Sequence, residues 1–388
     1  MHTSPVRRAV RSFLPALGLA ALATLAGCSM FSQKNPRFEP APLTNYPAGI
    51  SARIVWSTTV GSGGGYGFVP VVVGEAVYAA TPNGSVAKLD LASGRMLWQG
   101  SAKTDLSAGV GSDGQVTAVA TVGGEVVAFD DQGKEKWRAR ATSQVDMPPT
   151  VGDGVVVVRS SDYRIQAYDE NTGKPMWNVQ QPGPALALKT NMQMVLAQGL
   201  LISGLPSGKL IAINAHNGNV QWEGSVSSSE GATDLDRISD VVGTPLIRGP
   251  LLCAATYQGR IKCFDVSQGG RTIWEQRFSS ATGLTADAQQ VYASNQRGVV
   301  YAFSLADGHQ VWKQDALRYR DLSGPAALSQ AVAVGDYQGY VHFLSPLDGH
   351  LLGRLQIGGD AVRSPLLATS RGFLAQSGNG HLVMIGVN

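Results

Sequence analysis

The sequence predicts an all-β chain: an eight-bladed β-propeller with four antiparallel strands per blade, its last blade closed by a strand from near the N-terminus. Three observations predict it. The stretch Ala167-Tyr-Asp-Glu-Asn-Thr-Gly-Lys-Pro-Met-Trp177 has counterparts ending at Trp98, Trp137, Trp222, Trp274 and Trp312, so six of the seven tryptophans occupy one slot. Eight hairpin tips flanked by alternating apolar residues follow one another, at Asn83-Gly84, Gly123-Gly124, Ser161-Asp-Tyr163, Ser207-Gly208, Gln258-Gly259, Arg297-Gly298, Gln338-Gly339 and Asn379-Gly380. Pro70, Pro149 and Pro245 precede their tryptophans by 28, 28 and 29 residues, and the tryptophans follow one another at steps of 38 to 52. Four short strands in each period of roughly 40 residues is the pattern of a propeller.

The first unit shows the order of elements. Val69-Pro-Val-Val-Val73 is a first strand, and Ala76–Ala80 a second beyond Gly74. Ser85–Leu89 is a third beyond the Asn83-Gly84 tip, and the fourth carries Trp98 beyond a turn closed by Gly94. Proline in the first strand makes that strand an edge, since its nitrogen cannot donate to a neighbour. In the seventh unit the tryptophan position falls on Gly353, 28 residues after Pro325. In the eighth the same count from Pro365 runs past Asn388, so the chain ends after a third strand. The missing fourth strand is the orphan Ile54-Val-Trp56, which predicts pairing of residues 51–60 with 382–387. Closing the ring removes the open ends that a stack of sheets would expose. The tryptophan slot reads as packing between neighbouring blades rather than as ligand stacking. The run Gly61–Gly67 reads as a flexible connection, because no helical pattern follows it to supply an anion-binding N-terminus.

Composition agrees. The 388 residues include 47 Gly and 19 Pro with 15% charged residues, which suits tight turns and burdens helices. The formal charge of +3 is carried by Arg7, Arg8 and Arg11, in a stretch of 27 residues without an acid, so the remainder is near neutral. That argues against a nucleic-acid surface or a polybasic membrane surface. The same arginines, followed by the apolar run Phe13–Leu25, form a signal too short for a comfortable membrane span. It ends in Leu25-Ala26-Gly27-Cys28, which resembles the bacterial lipobox. The resemblance implies removal of residues 1–27, acylation of Cys28 and, with Ser29 next, sorting to the outer membrane. An ordinary secretory signal with an incidental cysteine is the plain alternative. Residues 28–50, with Pro36, Pro40, Pro42 and Pro47, read as an extended tether, and 51–388 as the propeller.

Export places the remaining Cys253 and Cys263 in an oxidising compartment. They flank the turn Tyr257-Gln-Gly-Arg260, and if 256 pairs with 260 then 253 faces 263. A cross-strand disulfide is expected; two small residues on neighbouring strands is the alternative.

The Ala-x-Asp-x-x-Thr-Gly-x-x-x-Trp unit resembles the tryptophan-docking motif of the pyrroloquinoline-quinone propeller superfamily, over residues 68–388. Within it, a lipobox plus a single eight-bladed domain resembles the BamB family, lipoproteins of the machine that inserts β-barrel proteins into the bacterial outer membrane. Two long connections sharpen the resemblance. Gly183-Pro-Ala-Leu186-Ala-Leu188-Lys189 follows Trp177, and Thr233-Asp-Leu-Asp236-Arg237-Ile-Ser-Asp240-Val-Val242 follows Trp222. In that family a Leu-x-Leu-Arg segment and an Asp-x-Asp pair in these loops contact the periplasmic domains of the barrel protein BamA. The resemblance therefore implies partner-binding roles for Leu186, Leu188, Lys189 and Asp240, with unfolded outer-membrane proteins as a second candidate partner. Lys189 replaces the arginine, keeping the charge without the planar fork, and Val242 replaces the second aspartate. The alternative is that these loops are ordinary surface insertions.

Catalytic patterns are missing. The six histidines (2, 216, 309, 342, 350 and 381) are scattered, no Cys-x-x-Cys pair offers a metal site, and no Gly-x-Ser-x-Gly elbow occurs. Asp90, Asp130, Asp169 and Asp265 sit at turns, where their side chains bond neighbouring N–H groups. The expectation is a non-enzymatic scaffold with no cofactor and no metal. A quinoprotein dehydrogenase is the enzymatic alternative, against which stands the lack of adjacent cysteines. A scaffold for another envelope partner is the other reading.

Overall fold

The computed structural model describes His2 and residues 38–184, 186–228 and 232–388; the expected signal and Cys28 lie outside the described residues. The chain divides into two compact units, 1–40 and 41–388. Of the first, His2 and residues 38–40 are described.

Among the described residues of the second unit, 32 strands form eight four-stranded antiparallel sheets. In chain order these blades span 71–101, 106–140, 150–180, 195–225, 241–278, 280–314, 326–356 and 367–387, the last completed by Ala52–Thr59. That strand pairs antiparallel with His381–Val387, Trp56 opposite Met384, so the eighth blade borrows its fourth strand as predicted.

Strand sequences explain why the blades stack. In Val155-Val156-Val157-Val158 successive side chains point to opposite faces. Val156 and Val158 pack with Ala118, Ala120 and Ala128 of the second blade. Val155 and Val157 pack with Leu201, Ile211 and Ile213 of the fourth. A strand buried on both faces reads as an unbroken apolar run. The core is therefore distributed in layers between blades, and Trp56, Leu374 and Met384 packing on Val77, Ala79 and Leu89 carries it across the closure.

The repeat acquires a physical meaning in the turns. Asp169 Oδ1 accepts from Thr172 Oγ1 at 2.7 Å and Thr172 N at 2.8 Å, and these bonds hold the carboxyl below its usual range. The turn ends at Gly173 with φ +70°, and the Trp137 ring of the preceding blade lies against its Cα. A Cβ on Gly173 would stand 2.6 Å from Trp137 Cδ2, so the position needs glycine for space as well as for backbone. Trp137 Nε1 donates to Glu170 O in the same turn at 2.7 Å. The same docking joins Trp56 to Leu91 O, Trp177 to Ala215 O, Trp274 to Leu305 O and Trp312 to Pro346 O. In the fifth blade the glycine beneath Trp222 is Gly270 rather than Gly269, because one more residue lengthens that turn.

The sequence reading ends the extended segment at residue 50. Residues 41–50 belong to the propeller unit and lie along its sixth and seventh blades. Ala41 N donates to Arg318 O and Gly49 N to Leu352 O. Arg354 Nη1 donates to Thr44 O at 2.7 Å, and Arg320 Nη1 to Ala41 O at 2.9 Å. Arg320 is itself buried against Asp336, whose Oδ2 also lies 2.9 Å from His342 Nε2. Ile50 packs over Gly353, the seventh-blade position that lacks tryptophan, and joins the apolar cluster of the last two blades. An intramolecular segment thus covers the slot.

Cys253 pairs directly with Cys263 in the fifth blade, with a Cα–Cα separation of 4.1 Å and the sulfurs within bonding distance.

A candidate protein-docking face built from two insertion loops

Strands alternate direction, so fourth-to-first connections and second-to-third hairpin tips share one face of the ring. The insertions 181–194 and 226–240 therefore lie side by side on it, between the third, fourth and fifth blades.

The first insertion is clamped at its start and plugs the axis at its end. Tyr163, in the third blade's hairpin tip, donates its hydroxyl to Pro184 O at 3.0 Å, and its ring lies where a Cβ on Gly183 would be. Beyond the loop's apex, Thr190 Oγ1 donates to Ala281 O, the innermost strand of the sixth blade. Asn191 Nδ2 donates to Arg363 O at 2.8 Å, in the connection leading to the eighth blade. Asn191 Oδ1 accepts from Gly67 N at 3.3 Å, ahead of the first blade. Met192 bridges Gly243 of the fifth. Residues 190–192 thus tie four inner segments together across the axis.

Between clamp and plug lies the predicted contact segment. Leu186 is 45% exposed. Leu188 is half-buried against the cluster of the fifth and sixth blades, and Lys189 is exposed. Asp240 differs from expectation. It is buried, 2% exposed; its Oδ2 accepts from Leu188 N at 2.6 Å and its Oδ1 from Ser207 N at 3.3 Å. Burial pushes its carboxyl up, and the two N–H groups and the charge on Arg159 oppose that shift. Asp240 therefore shapes the loop from within, because unpaired backbone N–H groups in a covered site are costly. Val242 is buried as well, so no second carboxylate is presented there.

Sequence reading missed Leu235 at the apex of the second insertion, 65% exposed, beside a turn in which Asp236 Oδ2 accepts from Thr233 Oγ1 at 2.7 Å. It also missed Arg159, Tyr163 and Asn191. The one available signal was a lone arginine ending a run of four valines. A cavity of about 260 Å³ opens between the first insertion and the third blade's hairpin tip, bounded by Asp146, Arg159, Tyr163, Leu188, Lys189 and Asp240. Among the described residues no cluster of His, Cys, Asp or Glu has metal-binding geometry.

The sequence model of the family described as "Outer membrane protein assembly factor BamB" matches residues 82–314. A protein of that name from Bordetella pertussis is 60% identical over 378 residues, covering 97% of this chain and 98% of its own length. The crystal structure of BamB from Moraxella catarrhalis superposes with a TM-score of 0.80 at 26% identity, covering 87% of this chain and all of that one. A quinohemoprotein alcohol dehydrogenase from Comamonas testosteroni shares the fold alone, with TM-score 0.65 at 14% identity over 86% of this chain and 76% of that one. By descent and by architecture, this chain belongs to the BamB family of outer membrane protein assembly factors.

Proposed function

We propose that the chain serves outer-membrane protein assembly by docking the periplasmic domains of BamA on the face that carries its two insertions, while acylated Cys28 holds it at the outer membrane. Family membership makes it an assembly factor of the Bam complex and not an enzyme. The observation that carries the docking assignment is Leu186: a large apolar side chain, 45% exposed, on a loop apex fixed from both sides by Tyr163 and Asp240. Exposed anchors on a rigid support are what protein interfaces use, because little ordering entropy remains to be lost. Lys189 in the same loop and Leu235 on the second insertion are exposed as well. Among the described residues no helix is long and apolar enough to cross a membrane.

The test is capture of purified BamA periplasmic domains by the full chain in mild detergent. Leu186→Glu should reduce capture at least about tenfold with circular dichroism unchanged. Leu188 is a poorer probe, since its half-buried side chain also supports the loop. Undiminished capture by Leu186→Glu would assign the contact elsewhere.

A further inference from the structure

The cavity under the first insertion is rich in unspent donors. Arg159 ends a buried strand and is 8% exposed, yet it spends its guanidinium on Gly204 O and, at 3.5 Å, on the weak acceptor Met192 Sδ. Among the described residues no carboxylate is in ion-pair contact with it, and Asp240 acts on it only through its charge. Lys189 stands exposed at the rim. The two acids that border the cavity are already engaged. Asp240 accepts from Leu188 N and Ser207 N, and Asp146 Oδ1 accepts from Gln144 Nε2 at 2.7 Å. Buried guanidinium groups in proteins are normally matched by acceptors in fork geometry.

We infer that this cavity receives a glutamate side chain of the protein docked on the loop face, its carboxylate accepting from Arg159 and Lys189 and its methylenes lying against Met147 and Leu188. The inference rests on the docking assignment above and adds the chemistry of the partner. Room for about 260 Å³ accommodates one such side chain with a few waters, each occupying roughly 30 Å³ of liquid volume. The two cations and two carboxylates sum to no net charge. Recognition therefore comes from directed donors rather than from the field, and an isolated glutamate binds weakly. Glutamine, which offers one oxygen and no charge, is discriminated against.

Two measurements test this. In the first, N-acetyl-glutamate amide and N-acetyl-glutamine amide are presented to the full chain in mild detergent and followed by saturation-transfer NMR. The glutamate compound should give a saturable signal that falls several-fold in Arg159→Met, while the glutamine compound gives little; equal signals from the two would overturn the inference. In the second, binding of the BamA periplasmic domains is compared for wild type, Arg159→Met and Arg159→Lys. A loss of about tenfold in Arg159→Met with partial recovery in Arg159→Lys is expected, read at a temperature where the melting curves show each variant fully folded. Full binding by Arg159→Met refutes the glutamate subsite and leaves the docking face standing. If wild type does not bind BamA, the docking assignment fails, and the glutamate–glutamine comparison decides the cavity alone. The same comparison on wild type decides it if Arg159→Met does not fold.

Discussion

Replacing Gly173 by alanine, beside a matched control at Gly154, isolates what the repeated turn contributes. Both glycines lie in the third blade with positive φ, +70° at Gly173 and +78° at Gly154. An alanine at either costs roughly 1–2 kcal/mol for left-handed backbone. Around Gly154 an added Cβ meets nothing within 4 Å, whereas at Gly173 it would lie 2.6 Å from Trp137. A gap that short forces the ring or the turn outward and strains the Trp137 Nε1–Glu170 O bond, adding about 1–3 kcal/mol for overpacking. Gly173→Ala is therefore expected to destabilise by about 2–5 kcal/mol and Gly154→Ala by about 1–2 kcal/mol. Urea unfolding followed by tryptophan fluorescence and circular dichroism measures both, with an unchanged denaturant slope as the check that compactness is unaltered. In the Trp137→Ala background the extra cost at Gly173 should vanish, leaving the two alanines alike. Equal losses from the two single substitutions, or a penalty at Gly173 that persists without Trp137, would refute the docking argument.

Two further outcomes follow from the packing. Ile50→Ala removes the side chain that covers Gly353, and for a half-buried isoleucine the loss should be about 1–2 kcal/mol; faster protease cleavage within residues 41–50 should accompany it. Unchanged cleavage would mean that the arginine contacts alone hold the segment. Glu170, 6% exposed and facing Asp113, has its carboxyl raised from 4.5 to about 7, chiefly by burial and then by the Asp113 charge. The folded state then holds a proton that the unfolded state releases, so stability falls as pH rises from about 4.5 through 7, by up to a few kcal/mol. Glu170→Gln should gain on wild type between pH 5 and 8 in denaturant titrations, and a difference independent of pH would contradict this.

The repeat made the architecture legible for a physical reason. Its turn aspartate, its glycine and its tryptophan each serve a contact repeated around the ring, so the demand on residue type recurs at a fixed spacing. Trp56 without a turn and a final unit without a fourth strand pointed to each other, and the pairing of Ala52–Thr59 with His381–Val387 follows from that single deficit. The loops are different. Leu186 is exposed and Asp240 is buried although the one is apolar and the other charged, and nothing local in either connection announces it.

What the sequence by itself determined was periodic: strand number, blade order, ring closure and the packing role of the tryptophans, all set by contacts that recur with the chain's own spacing. What only the tertiary structure decided was singular. Asp240 beneath Leu188, Asn191 across the axis and Ile50 over Gly353 are meetings of residues 52, 124 and 303 positions apart, each occurring once. A contact made once leaves no pattern along a chain, and its energy depends on burial and direction that exist only after the ring has closed.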